Sequence, residues 1–167
     1  DGDTTTQSTH SYTITDDDAA ATVAFTNATS ATGDESAAAR TVSVTLSLAA
    51  GALGNAVSVD VVNDGTGSAT EGAGNDYTYI TPTTVTFPVG SVNGDSLSVT
   101  YNVLADTDVE GDETIDLSLT NVTGPAAVGA QSTHIATITD DDASATVAFT
   151  NAASATGDES AAARTVS

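Results

Sequence analysis

The chain has 167 residues, with two arginines, no lysine and 23 acidic residues, which gives a formal net charge of −21. Such a surface repels nucleic acid and anionic membranes and attracts cations. There is no cysteine, which excludes disulfides and thiolate metal sites, and no apolar run approaches the roughly 18 residues that a membrane-spanning helix needs.

Seven segments alternate apolar and polar residues with a period of two, between boundaries rich in Gly, Asn, Asp and Ser. This pattern predicts β-strands at about 21–26, 41–48, 56–62, 83–88, 96–104, 114–120 and 133–139. Asn93-Gly94, between the fourth and fifth strands, is the strongest hairpin signal. Helix patterns are weak. Seven short strands in roughly 120 residues predict an all-β fold, a seven-stranded antiparallel immunoglobulin-like β-sandwich.

The sequence repeats itself. Residues 7–43 return at 131–167 with an offset of 124, and only four of the 37 paired positions differ. A period of this length matches a whole domain rather than a solenoid unit. We therefore expect a tandem array, in which 1–18 is the last strand of a preceding module, 19–142 is a complete module and 143–167 holds the first strands of the following one. Neighbouring modules would complete the two partial ones.

The acidic residues are concentrated in one set of connections. If successive strands are antiparallel, the connections after the first, third and fifth predicted strands and the exit from the seventh lie at one end of the module, here called the acid-rich end. Residues 19–142 contain 16 acidic residues; Asp95 lies at the opposite end, and Asp60 and Asp116 lie within strands. The remaining 13 lie at the acid-rich end: Asp34, Glu35, Asp64, Glu71, Asp76, Asp106, Asp108, Glu110, Asp112, Glu113, Asp140, Asp141 and Asp142.

Carboxylates gathered in this way repel one another and raise one another's pKa unless a cation neutralises them. The module has no lysine and a single arginine, Arg40. Ca²⁺ takes six to eight oxygen ligands from carboxylates, carbonyls and water. The sequence therefore predicts bound calcium, whereas an acidic surface for solubility or high salt would spread its charge over both ends.

Three segments resemble the Calx-beta domain, a module of sodium–calcium exchangers and of large bacterial surface proteins: GNDYTYITPTTVTFPVG (74–90), VLADTDVEGDETIDLSLTN (103–121) and THIATITDDD (133–142). The resemblance covers essentially all of 19–142. It implies two antiparallel sheets with calcium held at the end where the last strand exits. The ligand set that it implies is Glu35, Asp76, Asp106, Asp108 through its backbone carbonyl, Glu110, Asp140, Asp141 and Asp142.

Other kinds of site fit the residues less well. Residues 106–114 resemble the start of an EF-hand loop, but position twelve is Leu117 rather than an acid. His10 and His134 share one repeat position, which we expect on the polar face of the last strand. With one histidine per module and no cysteine, no nucleophile, base and orienting acid can be assembled, so we do not expect an enzyme.

These observations favour a calcium-binding structural repeat of a large extracellular protein. Calcium at the junctions would stiffen a rod, sheath or filament segment that serves as a spacer for adhesion or as a cell-surface coat, with neighbouring identical modules as its partners. Two alternatives stay open. The module could be adhesive and recognise a glycan, a surface or a partner chain through its Thr/Ser-rich sheet, or it could be a calcium sensor. Neither nucleic-acid binding nor membrane insertion is expected.

Overall fold

The computed structural model describes residues 9–13, 20–30, 33–36, 38–78, 80 and 82–150. The Asp triplet at 16–18 and the segment 151–167 lie outside the described residues, so the predicted partial modules stay predictions. Residues 143–150, at the start of the expected following module, contain no strand, and Val147 and Phe149 are exposed. No helix long and apolar enough to cross a bilayer occurs among the described residues.

Nine strands run through the described part of the chain, which contains no helix. They are β1 (Ala21–Phe25), β2 (Gly33–Asp34), β3 (Ala38–Ser47), β4 (Val57–Asn63), β5 (Thr83–Phe87), β6 (Ser96–Val103), β7 (Glu113–Thr123), β8 (Ala126–Val128) and β9 (Thr133–Thr139). All seven predicted strands are present, with ends shifted by up to three residues. The two additional strands, β2 and β8, are too short to show a period of two in the sequence.

The strands form two sheets, with the orders β6-β3-β1-β8 and β2-β9-β7-β4-β5. Neighbouring strands are antiparallel except for β1 with β8 and β2 with β9, which are parallel. The fold is therefore an all-β immunoglobulin-like sandwich, as predicted. The parallel pairs arise because the chain changes sheets after β1 and again after β7.

The core lies between the two sheets and is built from alternate residues of each strand. In β4, the side chains of Val57, Val59 and Val61 are all 0% exposed. Successive side chains of a strand point to opposite faces, so one residue in two reaches the core. Tyr77 and Phe87 are the largest side chains that are fully buried. Most of the remaining core consists of small β-branched side chains, which suit a pleated surface.

The outward hydroxyl side chains bond one another across strands. Ser43 and Ser98 share a hydrogen bond of 2.9 Å, and Thr26 and Thr45 share one of 2.7 Å. Such cross-strand pairs are an ordinary source of sheet stability. The Thr/Ser-rich face thus has a structural use, and nothing in the described residues favours the adhesive alternative over it.

His134 lies inside the sandwich, so its predicted place on the polar face of the last strand is wrong. Its side chain is 3% exposed, and its ring lies 5.6 Å from that of Phe25. Nδ1 is 2.7 Å from the carbonyl oxygen of Asn27, and Nε2 is 3.1 Å from the hydroxyl of Ser30. These partners come from the segment that crosses between the sheets after β1. Because they satisfy both ring nitrogens, the polar ring can be buried without a large loss of stability. The outward side chain is Ile135, which is 41% exposed.

The strand directions gather the β1–β3, β4–β5 and β6–β7 connections and the exit from β9 at one end, as the antiparallel order predicts. Backbone hydrogen bonds tie these segments together there. The N–H of Glu35 donates to the carbonyl of Thr139 over 3.1 Å, and the N–H of Leu104 donates to that of Asp76 over 2.9 Å. The short strand β2 has the largest effect on the composition of this end, because it brings residues 34 and 35 there beside β9.

The expected hairpin at Asn93-Gly94 is wrong, because β5 and β6 lie in different sheets. The dipeptide stands instead in a connection that crosses the sandwich. Gly94 has a φ of 90°, which favours glycine. The side-chain oxygen of Asn93 accepts a hydrogen bond of 3.0 Å from the N–H of Leu48, and Gly94 donates one of 2.9 Å to Leu46. The turn therefore docks on the end of β3.

Replacing Leu117 by alanine tests the packing of the sandwich. Leu117 is 0% exposed on β7, so Leu117→Ala removes burial and leaves a cavity. We expect the free energy of unfolding, measured by chemical denaturation, to fall by about 2–5 kcal/mol. The same change at Leu97, which is 37% exposed on β6, is the control and should cost about 0.5 kcal/mol. Equal losses at both positions would contradict the packing described here.

Candidate metal site

Four chain segments bring carboxylates to the acid-rich end. Glu35 directly follows β2, Asp76 lies between β4 and β5, residues 106–113 connect β6 to β7, and residues 140–142 directly follow β9. β2 runs parallel to β9, with Asp34 opposite Thr139. Because both strands end at the same level and in the same direction, the residues that follow them leave the sheet side by side.

The first carboxylate group consists of Glu35, Asp140 and Asp142. Each offers one oxygen, and these oxygens all lie within 4.8 Å of one another. Glu35 is only 7% exposed. The N–H of Asp142 donates a hydrogen bond of 2.8 Å to Oδ1 of Asp140, which fixes the turn after β9.

Two oxygens of the first carboxylate group are buried and have no hydrogen-bond donor among the described residues: Oε2 of Glu35 and Oδ2 of Asp142. Buried polar atoms in folded proteins nearly always have a partner, and a buried carboxylate that lacks one is costly. The arrangement therefore calls for a partner at these oxygens, which a proton, a water molecule or a cation can supply.

The second carboxylate group consists of Asp76, Glu110 and Glu113, whose oxygens also lie within 4.8 Å of one another. Asp76 is held by its backbone and by its side chain. Its carbonyl accepts a hydrogen bond of 2.9 Å from Leu104, and its Oδ2 accepts one from the N–H of Thr70. Glu113 is the first residue of β7, so its position is set by the sheet.

The two groups adjoin. The N–H of Glu110, in the second group, donates a hydrogen bond of 2.9 Å to Oδ2 of Asp140, in the first. In the same connection, the N–H of Asp108 donates one of 2.8 Å to Oδ1 of Asp106. These bonds curl the β6–β7 connection against the residues that follow β9, so the six carboxylates form one continuous patch.

Burial and mutual repulsion shift the titration of the patch. The pKa of Glu35 is raised to about 7, first by burial and then by neighbouring negative charges, those of Asp106, Asp140, Asp142 and Glu110. The pKa of Glu113 is also raised to about 7, first by burial, then by a hydrogen bond with Asp76 and by nearby charges. Each group thus contains one carboxyl that, without a cation, keeps its proton up to about pH 7.

The pKa values of Glu110 and Asp142 are raised as well, in both cases first by burial. The charge of Asp108 contributes at both residues, and that of Asp141 contributes at Asp142. Exposed acids around the patch therefore add to its negative potential, although they lie outside the two groups.

Comparisons with known proteins give structural matches alone. No protein-family model matches the sequence, and no curated protein matches it significantly. The fold is similar to that of the apo-form Calx CBD1 domain, with 20% identity and a TM-score of 0.59 over 74% of this chain and 100% of that one. The chain therefore has a Calx-beta-like fold.

Two further crystal structures support the Calx-beta-like fold, and this chain spans 44% of each. CBD12 from CALX1.2 matches 72% of this chain at 24% identity and a TM-score of 0.58. The calcium binding domain CBD12 of CALX1.1 matches 72% at 22% identity and a TM-score of 0.55.

All eight predicted ligand residues of the Calx-beta-like domain lie at the acid-rich end, but the structure brings only five of them into the two groups: Glu35, Asp76, Glu110, Asp140 and Asp142. Asp106, Asp108 and Asp141 are exposed beside the patch. The role predicted for the backbone carbonyl of Asp108 stays a prediction.

Glu113 belongs to the second group but was absent from the predicted ligand set. The sequence placed it at the acid-rich end without a specific role. The sequence feature that could have identified Glu113 as a ligand is its position, three residues after Glu110 and at the start of a strand. The backbone of a strand residue is fixed by the sheet, so the side chain of Glu113 stays at this end. Side chains in the preceding connection can turn toward solvent.

Some acids at the acid-rich end serve the fold, so the expected cluster of 13 carboxylates overstates the site. Oε1 of Glu71 accepts a hydrogen bond of 2.7 Å from the N–H of Ile80, and its Oε2 accepts one of 3.3 Å from Asn63. Oδ1 of Asp64 accepts one of 2.6 Å from the hydroxyl of Thr66. Protein donors already satisfy these oxygens.

The raised pKa values predict a pH dependence for the calcium-free protein. Unfolding lets Glu35 and Glu113 lose their protons near the usual value of 4.5, whereas in the fold they keep them up to about 7. The folded state binds more protons in this window, so stability is greatest below about pH 4.5 as far as these groups are concerned and falls as the pH rises through 7. Thermal melts in chelated buffer across this range measure the slope.

The control for this slope is the pair of substitutions Glu35→Gln and Glu113→Gln, which removes both titrating groups and should flatten it. A slope that persists in the double variant would show that other groups are responsible.

Proposed function

We propose that the Calx-beta-like domain binds Ca²⁺ at the acid-rich end. The observation that carries this proposal is the pair of buried oxygens without donors, Oε2 of Glu35 and Oδ2 of Asp142, within a group of three carboxylates. A divalent cation bound there would supply the missing partner and would remove the repulsion between the charges.

The donor set favours calcium over other metals. All six side chains of the two groups offer carboxylate oxygens, and the chain has no cysteine. Soft metals prefer thiolate or imidazole ligands. Mg²⁺ demands a near-ideal octahedron and keeps several waters, whereas Ca²⁺ accepts six to eight oxygens in a flexible geometry. A similar fold is described as a calcium binding domain in CALX1.1.

We assign the protein ligands of two calcium ions to the two carboxylate groups. Glu35, Asp140 and Asp142 would hold one ion, and Asp76, Glu110 and Glu113 would hold another. The N–H of Glu110 donates a hydrogen bond to Oδ2 of Asp140, so the two ions would lie side by side. Asp106, Asp108 and Asp141 would complete the coordination from the exposed side or would balance the remaining charge.

The position of the site supports a structural role in an array. Residues 140–142 connect β9 to 145–149, which repeats the sequence of β1. Only the five residues 140–144 separate the two, a span of at most about 20 Å. Calcium bound to residues 140–142 would therefore lie at the junction between modules. We propose that it stiffens this junction, so that tandem modules form an extracellular rod or filament segment that acts as a spacer for adhesion or as a surface coat.

Calcium should raise the melting temperature of the chain far more than magnesium does at equal ionic strength. A ligand at a hundred times its Kd adds about 2.7 kcal/mol to the stability of the state that binds it. Titrating the melt gives the affinity. An extracellular module is expected at a Kd of about 10⁻⁴–10⁻³ M, whereas about 10⁻⁷–10⁻⁵ M would favour the sensor alternative.

Two substitutions of equal charge separate specific binding from screening in this melt. Glu35→Gln should abolish most of the calcium-dependent rise. Asp112→Asn removes the same charge at an exposed residue of the same end that belongs to neither group, and it should keep the rise. If both variants respond alike, or if magnesium matches calcium, the acid-rich end is a solvated acidic surface.

The rod makes a separate prediction. In a protein of three consecutive 124-residue modules, calcium should increase the maximum dimension measured by small-angle X-ray scattering relative to chelated buffer, because it orders the junctions. Magnesium is the control. An unchanged dimension in a protein that still binds calcium would disprove the rod and leave the calcium site standing.

A further inference from the structure

The only arginine of the module joins its two sheets. The chain has two arginines, Arg40 and Arg164, which occupy the same position of the repeat, and it has no lysine. Arg40 lies on β3, whereas its guanidinium reaches β2 in the other sheet. Nη2 donates a hydrogen bond of 2.9 Å to the carbonyl of Asp34 and lies 3.7 Å from Oδ1 of the same residue.

Gly33 leaves the space that this contact needs. A Cβ at position 33 would lie 2.4 Å from Nη2 and 2.5 Å from Cζ of Arg40, closer than atoms can approach. The φ of Gly33 is not positive, so its backbone conformation does not require glycine. What a Cβ would displace is the guanidinium packed against it.

Little else holds β2 in place among the described residues. It is an edge strand with two residue pairs to β9, Gly33 with Ile138 and Asp34 with Thr139. Beside Arg40, a cavity of about 260 Å³ separates the sheets, with Tyr101 among its lining residues. Arg40 lies at this cavity, and its guanidinium reaches from β3 to the backbone carbonyl of Asp34 on β2.

Glu35 directly follows the two residues that Arg40 holds. Its N–H bonds to Thr139 over 3.1 Å, and its carboxylate joins those of Asp140 and Asp142. We propose that Arg40 is a positioning residue for the calcium site of the first carboxylate group: it fastens β2 across the sandwich and so fixes the carboxylate of Glu35 over the residues that follow β9. This inference rests on the calcium binding proposed above.

The sign of the effect separates positioning from simple charge. A guanidinium near a cation site opposes the binding of Ca²⁺ by repulsion, so a residue that acted through its charge alone would weaken binding. Removing it would then leave the calcium affinity unchanged or raise it. A positioning residue has the opposite effect, because without it the carboxylate of Glu35 is no longer held at the ion. Residues that orient metal ligands typically account for about 10–100-fold in affinity.

The test is isothermal titration calorimetry of the 167-residue chain with calcium. Arg40→Ala should lower the affinity by about tenfold or more. Arg40→Lys, which keeps the charge and one donor, should lower it less. Arg164→Ala removes the same charge outside the described residues and should leave the affinity unchanged. An unchanged or higher affinity in Arg40→Ala would overturn the positioning role. Failure of the unmodified chain to bind calcium would instead overturn the site itself.

Gly33→Ala is a second route to the same contact and keeps every charge. Its new Cβ would displace the guanidinium, the flexible end of the Arg40 side chain, so it should weaken binding, by no more than Arg40→Ala does. The double variant should lose no more than Arg40→Ala alone, because both act on one contact. Arg40→Ala should likewise have no further effect in a Glu35→Gln background. Additive losses in either combination would show that Arg40 acts elsewhere, and circular dichroism of each variant in calcium checks that it folds.

Discussion

A buried carboxylate oxygen needs a hydrogen-bond donor, a proton or a cation, and this requirement governs the acid-rich end of the structure. The sandwich can pack its valines without regard to charge, but its acid-rich end buries one oxygen each of Glu35 and Asp142 that accepts no hydrogen bond from the described part of the chain. Besides water, two species can satisfy these oxygens, a proton or a metal ion. The pKa of Glu35, raised to about 7, corresponds to binding of a proton. The calcium site proposed here corresponds to binding of a metal ion. Protons and calcium would therefore compete for the same atoms.

The change of sheet after β1 brings these carboxylates together. A strand that stayed in the first sheet would deliver residue 35 to the wrong face of the sandwich. Instead, the chain crosses over, with His134 bonded to the crossing segment at Asn27 and Ser30, and β2 runs parallel to β9 at the edge of the second sheet. Parallel neighbours end at the same edge, so residues far apart in sequence leave it together.

The alternation of apolar residues predicted the seven main strands, and their antiparallel order predicted which end gathers the acids, because both depend on a period and a parity that a single sequence displays. The short strands, the pairing around turns and the partners of individual acids depend on tertiary contacts, which a single sequence does not display. β2 has two residues and no period, and Asn93-Gly94 forms a turn whether or not the adjoining strands pair. Glu71 and Asp76 lie in one connection and look equivalent in sequence, yet the backbone of Ile80 satisfies Glu71, whereas Asp76 faces Glu110 and Glu113.

The distribution of positive charge completes the argument. A module with 16 acids and one arginine could have used that arginine to neutralise the patch, but the guanidinium lies against Gly33, donates to the backbone carbonyl of Asp34 and lies 3.7 Å from its carboxylate. Asp34 belongs to neither carboxylate group. With the calcium site proposed here, neutralisation of the patch would be left to an ion from solution, and Arg40 would serve to position Glu35. A domain organised in this way would couple its stability to the ion concentration. In a tandem repeat, the same ion would lie where one module leads into the next, so the folding of a module and the stiffness of its junction would respond to calcium together.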